Sequence, residues 1–497
     1  MNEQNSKKQI LKSSSIIGGA SIISIVVGLV KVKGLAMMMG PGGVGLLGIL
    51  QSFLGLVATL FGLGLGTTGV REIARYHDQQ EKVDGVRKAL FMANLMLGLL
   101  AAGLILVFRE TLSERLIGSP DQQLSVCLVG IGVLFTLIGA SQGAALQGFR
   151  KIAELAKVKI ITAIASTVIG LGAVYYLGNN GIAVFLLVLP VAGCLCGLFY
   201  TRKLPKLRSV NTPWSKLWPL WKSMATLGSV YMLSGFLGEG TKLLVREFII
   251  EDMDLHAVGY FQAAWSISMT YIGLVLGAMA ADYYPRLTQA MDNRKQANEL
   301  VNQQTEIAIV FAAPIILGMI TFAPWVITVL YSAEFVPSIE ILRWQVAGDI
   351  LKIVAWPISF IVLASGKGKL YFLLEMSWNI SYLLLVYIGL QVFGLGATGY
   401  AFVLSYLVYL GCAFWSARRL IDFHWISANK KFGLMLLAAA VIILLVSYYH
   451  SVVTMLIGSV FTVFSILVSL RTLNDIGVSS KRINQLLLFG KKLKLIS

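Results

Sequence analysis

The chain has 497 residues, 57% of them hydrophobic and only 13% charged, with a net charge of +17 and a mean hydropathy of +0.77. A soluble protein of this length could not hide so much apolar side chain, so lipid must be its solvent. Nucleic-acid binding is excluded too, because the bases stand in short loops and line no single face; the anionic cytoplasmic leaflet accounts for them.

A membrane helix needs about 20 mostly apolar residues. Fourteen such runs can be marked, beginning near residues 15, 43, 88, 123, 157, 181, 221, 256, 303, 337, 370, 395, 432 and 452. The first follows Lys7, Lys8 and Lys12 and continues without a small-residue cleavage site, so it reads as a retained span rather than a signal peptide. Of the 41 lysines and arginines, six lie inside runs, and only Arg109 and Arg115 fall in the connections assigned to the outside. The others occupy the tails and every second connection, such as Arg71 to Lys88, Arg150 and Lys151, and Arg418 to Lys431. Lys and Arg are retained in short cytoplasmic loops, so both termini are expected on the cytoplasmic side.

The first twelve spans repeat as two sixes. Val44-Gly45 recurs as Val258-Gly259, Arg71 and Asp78 recur as Arg286 and Asp292, and Gly148 and Gly181 recur as Gly366 and Gly399. Halves of equal orientation read as parallel repeats about an axis along the membrane normal, with a substrate site between them. The expected plan is an N-lobe over 1–201, a cytoplasmic linker over 202–220 and a C-lobe over 221–419. Two further spans over 420–471 and a basic cytoplasmic tail over 472–497 follow. That tail is amphipathic and suits the inner leaflet.

A cation inside a hydrocarbon-length run is expensive and reads first as functional. The six are Lys31, Lys33, Lys242, Arg246, Arg343 and Lys352. Glu239 with Lys242, Glu340 with Arg343, and Asp349 with Lys352 are each three apart, so each pair shares a helix face and can neutralise itself. Arg246 lies near a span end, where it can snorkel. Lys31 and Lys33 have no acid within a turn. Lying roughly 200° apart around a helix, they cannot both face one cavity. Anionic substrate is the sharp reading of these bases and local ion pairing the bland one. Among the acids, Glu239 and Asp349 are the better coupling-ion candidates; Asp282 stands four residues before Arg286 and suits an ordinary edge ion pair.

Enzyme signals are absent. The four histidines are dispersed, no Gly-Lys-Ser/Thr phosphate loop occurs, and the longest outer connection, near 109–122, is too short for a catalytic domain. Cys127, Cys194, Cys196 and Cys412 all sit in apolar runs and read as core thiols, with no metal site or disulfide framework. The glycines at 62, 64 and 66 read as a point of close helix packing or bending.

Several stretches resemble the Wzx-type flippases of the multidrug/oligosaccharidyl-lipid/polysaccharide exporter superfamily, O-antigen translocase branch. They are Lys33 to Gly45 with its Gly40-Pro41 turn, Gly69 to Asp78, and above all Trp344-Gln345-x-x-Gly348-Asp349-x-Leu351-Lys352. The resemblance implies an all-α membrane protein with two pseudo-symmetric six-helix lobes in a V shape, alternating its opening between the two sides. It also implies a multi-pass protein of the bacterial inner membrane that moves undecaprenyl-diphosphate-linked oligosaccharide to the periplasmic leaflet. Lys33, Asp349 and Lys352 match charged positions of the family pattern. Polysaccharide polymerase and chain-length regulator are candidate partners beside the membrane lipids. No cofactor is expected beyond a coupling H+ or Na+. The last two spans resemble the added pair of peptidoglycan-precursor flippases, which shapes a groove for a lipid tail. A multidrug cation antiporter or a lipid II flippase of the same fold remains the alternative.

Overall fold

Backbone amides in hydrocarbon must be satisfied within their own segment, which leaves helices as the simplest way to cross. The computed structural model describes residues 3–76, 79–205 and 214–475; the side chains of 3–18, 22, 214–217, 230, 278, 280–282 and 473–475 lie outside that description. Among the described residues there is no strand. The chain runs through α1 (Glu3–Gly62), α2 (Leu65–Arg75), α3 (Gln80–Val107), the short α4 (Arg109–Ile117), α5 (Gln123–Gly148) and α6 (Ile152–Leu177). It continues with α7 (Asn179–Thr201), α8 (Trp214–Asp252), α9 (Leu255–Ala290), α10 (Arg294–Thr321) and the short α11 (Ala323–Leu330). The last five are α12 (Ser338–Ala364), α13 (Gly368–Phe393), α14 (Ala397–Ile421), α15 (Ser427–Ser447) and α16 (Ser451–Asp475).

Ten stretches of described residues are long and apolar enough to cross a membrane. Two of these, Gly19–Gly62 with 44 residues and Gly368–Ile421 with 54, each have the length of two passes at about 20 residues per pass. The first of them holds two of the expected runs. No loop separates the runs beginning near 15 and 43; two helices meet directly at Gly40, whose φ of 59° and ψ of −163° are non-helical, just before Pro41. Proline removes a helical hydrogen bond and glycine admits the positive φ, so the pair breaks the stretch into two helices.

The chain packs as two compact units, Met1–Gly259 with Leu330–Ser332, and Tyr260–Val329 with Ala333–Ser497. In the first unit α8 lies against α1, α2 and α3. Small residues permit this approach. A Cβ on Gly45 would overlap the Leu255 carbonyl, and one on Gly259 would overlap the Pro41 carbonyl. The repeated Val-Gly pair therefore marks a backbone-to-backbone contact, which is how membrane helices attract without a hydrophobic driving force. Gly64, at φ 63° between α1 and α2, likewise sits against Gly228 of α8. The glycine-rich stretch is a packing and bending point, as its composition suggested.

The second unit is centred on aromatic rings. Trp265, Trp378, Tyr382 and Phe402 stack or meet edge to face, with Trp378 and Tyr382 centroids 5.0 Å apart. The last two helices are bound to α10 by polar groups: Asn429 Nδ2 donates to the Asn302 carbonyl at 2.8 Å, and the Ile426 amide donates to Asn302 Oδ1 at 3.0 Å. Beside this latch, α10, α15 and α16 line an apolar groove of ≈ 290 Å³, with Lys431 as its one charged lining residue.

Candidate anion and ion sites

Lys31 and Lys33 leave opposite sides of α1, as their spacing requires. The Lys33 ammonium donates to the Tyr331 carbonyl. Lys31 instead turns toward α6 and α7, where Nζ lies 3.4 Å from Ser166 Oγ and 4.2 Å from the centre of the Phe185 ring. There it lines a cavity of ≈ 400 Å³ with Ser24, Thr162, Ser166, Thr167 and Lys159. No carboxylate is among the lining residues.

The remaining polar chemistry of this cavity favours an acceptor-rich guest. Lys159 Nζ donates to Ser21 Oγ at 3.1 Å, a neutral partner that leaves its charge uncompensated. Thr162 Oγ1 is buried with no hydrogen-bond partner among the described residues. A buried hydroxyl without a partner costs roughly 1–3 kcal/mol, which an incoming anionic oxygen would recover. Two ammonium groups, a ring and an unsatisfied hydroxyl make a site for phosphate-type oxygens.

The other bases of the first unit are spoken for within it. Lys242 pairs with Glu239 at 2.6 Å, the local neutralisation that their three-residue spacing allows. Glu239 also packs on Gly55 of α1, where a Cβ would stand 2.8 Å from its Oε2. Arg246 does not snorkel outward: it is 2% exposed, and Nη1 donates to the Lys242 carbonyl at 2.6 Å. Neither Lys242 nor Arg246 lines the Lys31 cavity.

In the second unit the pairings anticipated along α12 are replaced by longer-range ones. Arg343 forms no ion pair with Glu340; its Nε donates to the Ile320 carbonyl at 3.1 Å. Glu340 Oε1 instead accepts from Tyr400 at 2.6 Å and Tyr448 at 2.9 Å. Asp349 is fully buried, and its Oδ2 accepts from Ser268 at 2.8 Å and from Tyr271, both on α9. Its Oδ1 has no partner among the described residues, nor do either of the amide atoms of Gln345, one turn away. Lys352 Nζ meets Met269 Sδ at 3.3 Å and the Phe402 and Tyr406 rings at 5.9 and 5.6 Å. Near it, Glu375 Oε1 accepts from Tyr409 at 3.0 Å. Asp349, Gln345 and Lys352 fall on one face at i, i+4 and i+7 from residue 345, so this buried cluster can trade a small cation or a proton. Asp282 lies outside the described residues.

Three contributors escaped the sequence reading. Lys159 is not among the six interior bases, although it lies seven residues into α6. Its polar neighbours recur at Thr162, Ser166 and Thr167, a helical hydroxyl stripe that could have flagged it. Gln345 and Tyr271 carried no charge to attract notice. No group of three His, Cys, Asp or Glu able to hold a metal occurs among the described residues, and the four cysteines are free thiols.

Among the described residues the chain is all helical, with stretches able to cross a membrane and cations held in its interior. Solved structures share that fold. An inward-facing multidrug resistance MATE family transporter of the MOP superfamily superposes with a TM-score of 0.71 at 18% identity, covering 84% of this chain and 99% of that one. The lipid II flippase MurJ, in an inward closed conformation, gives 0.69 at 17% identity, covering 91% and 98%. In sequence, the chain is 26% identical to the lipid III flippase of Escherichia coli (strain K12) over 416 residues, 80% of this chain and 96% of that protein. It is 23% identical to a putative O-antigen transporter of Shigella flexneri over 397 residues, covering 78% and 90%. Residues 35–340 match the family model described as polysaccharide biosynthesis protein, and the chain belongs to that family.

Proposed function

We propose that the protein is a flippase for undecaprenyl-diphosphate-linked oligosaccharide, an O-antigen or related repeat unit, working in the bacterial inner membrane. It would carry the head group from the cytoplasmic to the periplasmic leaflet by alternating access, with both termini cytoplasmic. The observation that carries this reading is the Lys31–Lys159 cavity, cationic and free of lining carboxylates. A diphosphate cannot enter hydrocarbon alone, since one charge at the bilayer centre costs about 3 kcal/mol on insertion scales. Two fixed ammonium groups offset that cost while the polyprenyl tail stays in lipid. The apolar groove beside α15 and α16 suits such a tail.

Asp349 is the residue we assign to ion coupling, with H+ or Na+ as the driving ion. Its buried carboxylate keeps one oxygen without a partner among the described residues, the minimum that an exchanging ion requires. A cation antiporter of the same fold would need an acidic pocket, and the Lys31 cavity has the opposite sign. Proteoliposomes carrying a fluorescent polyprenyl-diphosphate sugar test the reading. The intact protein should bring inner-leaflet label to the outer leaflet, where an impermeant quencher reaches it, and Lys31→Ala should not. Equal rates for empty liposomes and intact protein would refute it.

A further inference from the structure

The strongest sequence resemblance begins at Trp344, yet neither the anion cavity nor the buried Asp349 cluster uses that side chain. Its indole Nε1 donates to Tyr448 Oη at 2.9 Å, and its ring meets Tyr400 edge to face at 4.8 Å. Tyr400 also meets Phe393 at 5.8 Å. The Tyr400 and Tyr448 hydroxyls converge on Glu340 Oε1. These residues come from α12, α13, α14 and the end of α15 in one unit, and much of the cluster is open: Tyr448, just past α15, is 55% exposed and Phe393 64%. The same helices carry Lys367, Lys369, Arg418, Arg419, Lys430 and Lys431 at or beyond their opposite ends. By the charge rule the aromatic cluster therefore faces away from the cytoplasm.

Interfacial belts explain single Trp and Tyr side chains at this depth. They do not explain a carboxylate at the middle of the rings. Nor do they explain why Glu340 is held by two phenols while Arg343, three residues on, donates elsewhere. Two tyrosines on one oxygen fix the carboxylate and leave Oε2 with no partner among the described residues. An oriented carboxylate beside tilted rings matches a sugar ring, whose C–H face is apolar and whose edge carries hydroxyl donors.

We propose that Glu340, Arg343, Trp344, Tyr400 and Tyr448 form a carbohydrate-binding platform for a pyranose ring of the oligosaccharide. The ring lies on Trp344 and Tyr448, with its hydroxyls donating to Glu340 Oε2 and accepting from Arg343. The flippase reading supplies only the identity of the ligand as an oligosaccharide; the site is argued from its own geometry.

Saturation-transfer NMR on the full chain in lipid nanodiscs, free of sugar-based detergent, tests this with maltotriose and N-acetylchitotriose as probes. Ring protons of at least one probe should receive saturation. Trp344→Leu and Glu340→Gln should each cut the effect about fivefold, the worth of one lost contact of this kind. Tyr448→Phe keeps the ring and should cut it less, and Glu340→Gln guards against a Trp344→Leu chain that fails to fold. Absence of transfer to both sugars, or equal transfer in all variants, would leave an interfacial belt and overturn the platform. Sugar transfer without flipping in proteoliposomes would sink the flippase reading and leave the platform standing.

Discussion

The Lys31 cavity of the first unit and the α12 face of the second treat interior charge in different ways. In the second, Arg343 reaches a backbone carbonyl, Lys352 lies among a thioether and two rings, and Asp349 is held by a serine and a tyrosine. In the first, Lys31 and Lys159 touch only neutral hydroxyls and a ring while lining an open cavity. A buried charge needs either built-in partners or a guest that supplies them. The contrast teaches that an intramembrane cation becomes a site only where the fold withholds its counter-ion.

The contrast is broken most severely by removing the cations that lack one. Lys31→Ala combined with Lys159→Ala should slow flipping about 100-fold in proteoliposomes, on the scale of one uncompensated charge in hydrocarbon. Replacing Glu239 and Lys242 together by Gln should leave at least half the rate, because the pair neutralises itself; a loss as large as that of the lysine double variant would erase the distinction. Asp349→Asn keeps an acceptor for Ser268 and Tyr271 but no charge. Its flipping should lose its dependence on an imposed ion gradient, and unchanged gradient dependence would remove Asp349 from coupling. Gly259→Ala attacks the packing that supports the first unit and should cost about 1–3 kcal/mol, read as a lower melting temperature. Smallest is Asn302→Ala in the latch of the second unit, about 1–2 kcal/mol, seen as faster proteolysis near residues 422–426 with flipping retained.

Much of the fold was legible because it follows from local composition. Runs of apolar residues became helices, and the Val44-Gly45 and Val258-Gly259 echo became a backbone contact that only glycine permits. Gly40-Pro41, read as a turn, is where two helices meet with no loop between them, at a glycine whose φ and ψ are non-helical. The site was only half legible. Lys31 and Asp349 announced themselves by charge inside apolar runs. Lys159 was hidden by its nearness to the basic loop, and Gln345 by its neutrality. Spacing correctly paired Glu239 with Lys242 but failed at Glu340 and Arg343, because the tyrosines that claim Glu340 lie 60 and 108 residues further along the chain.

What the sequence determined alone was the solvent of this protein and the helical form of its crossings. Both depend on sums of transfer energy over about 20 neighbouring residues, and such sums need no knowledge of the fold. Only the tertiary structure decided which charges are compensated. A counter-ion or an empty cavity is furnished by segments far apart in the chain, and electrostatic cost in a low dielectric turns on a few ångströms that spacing along one helix does not record.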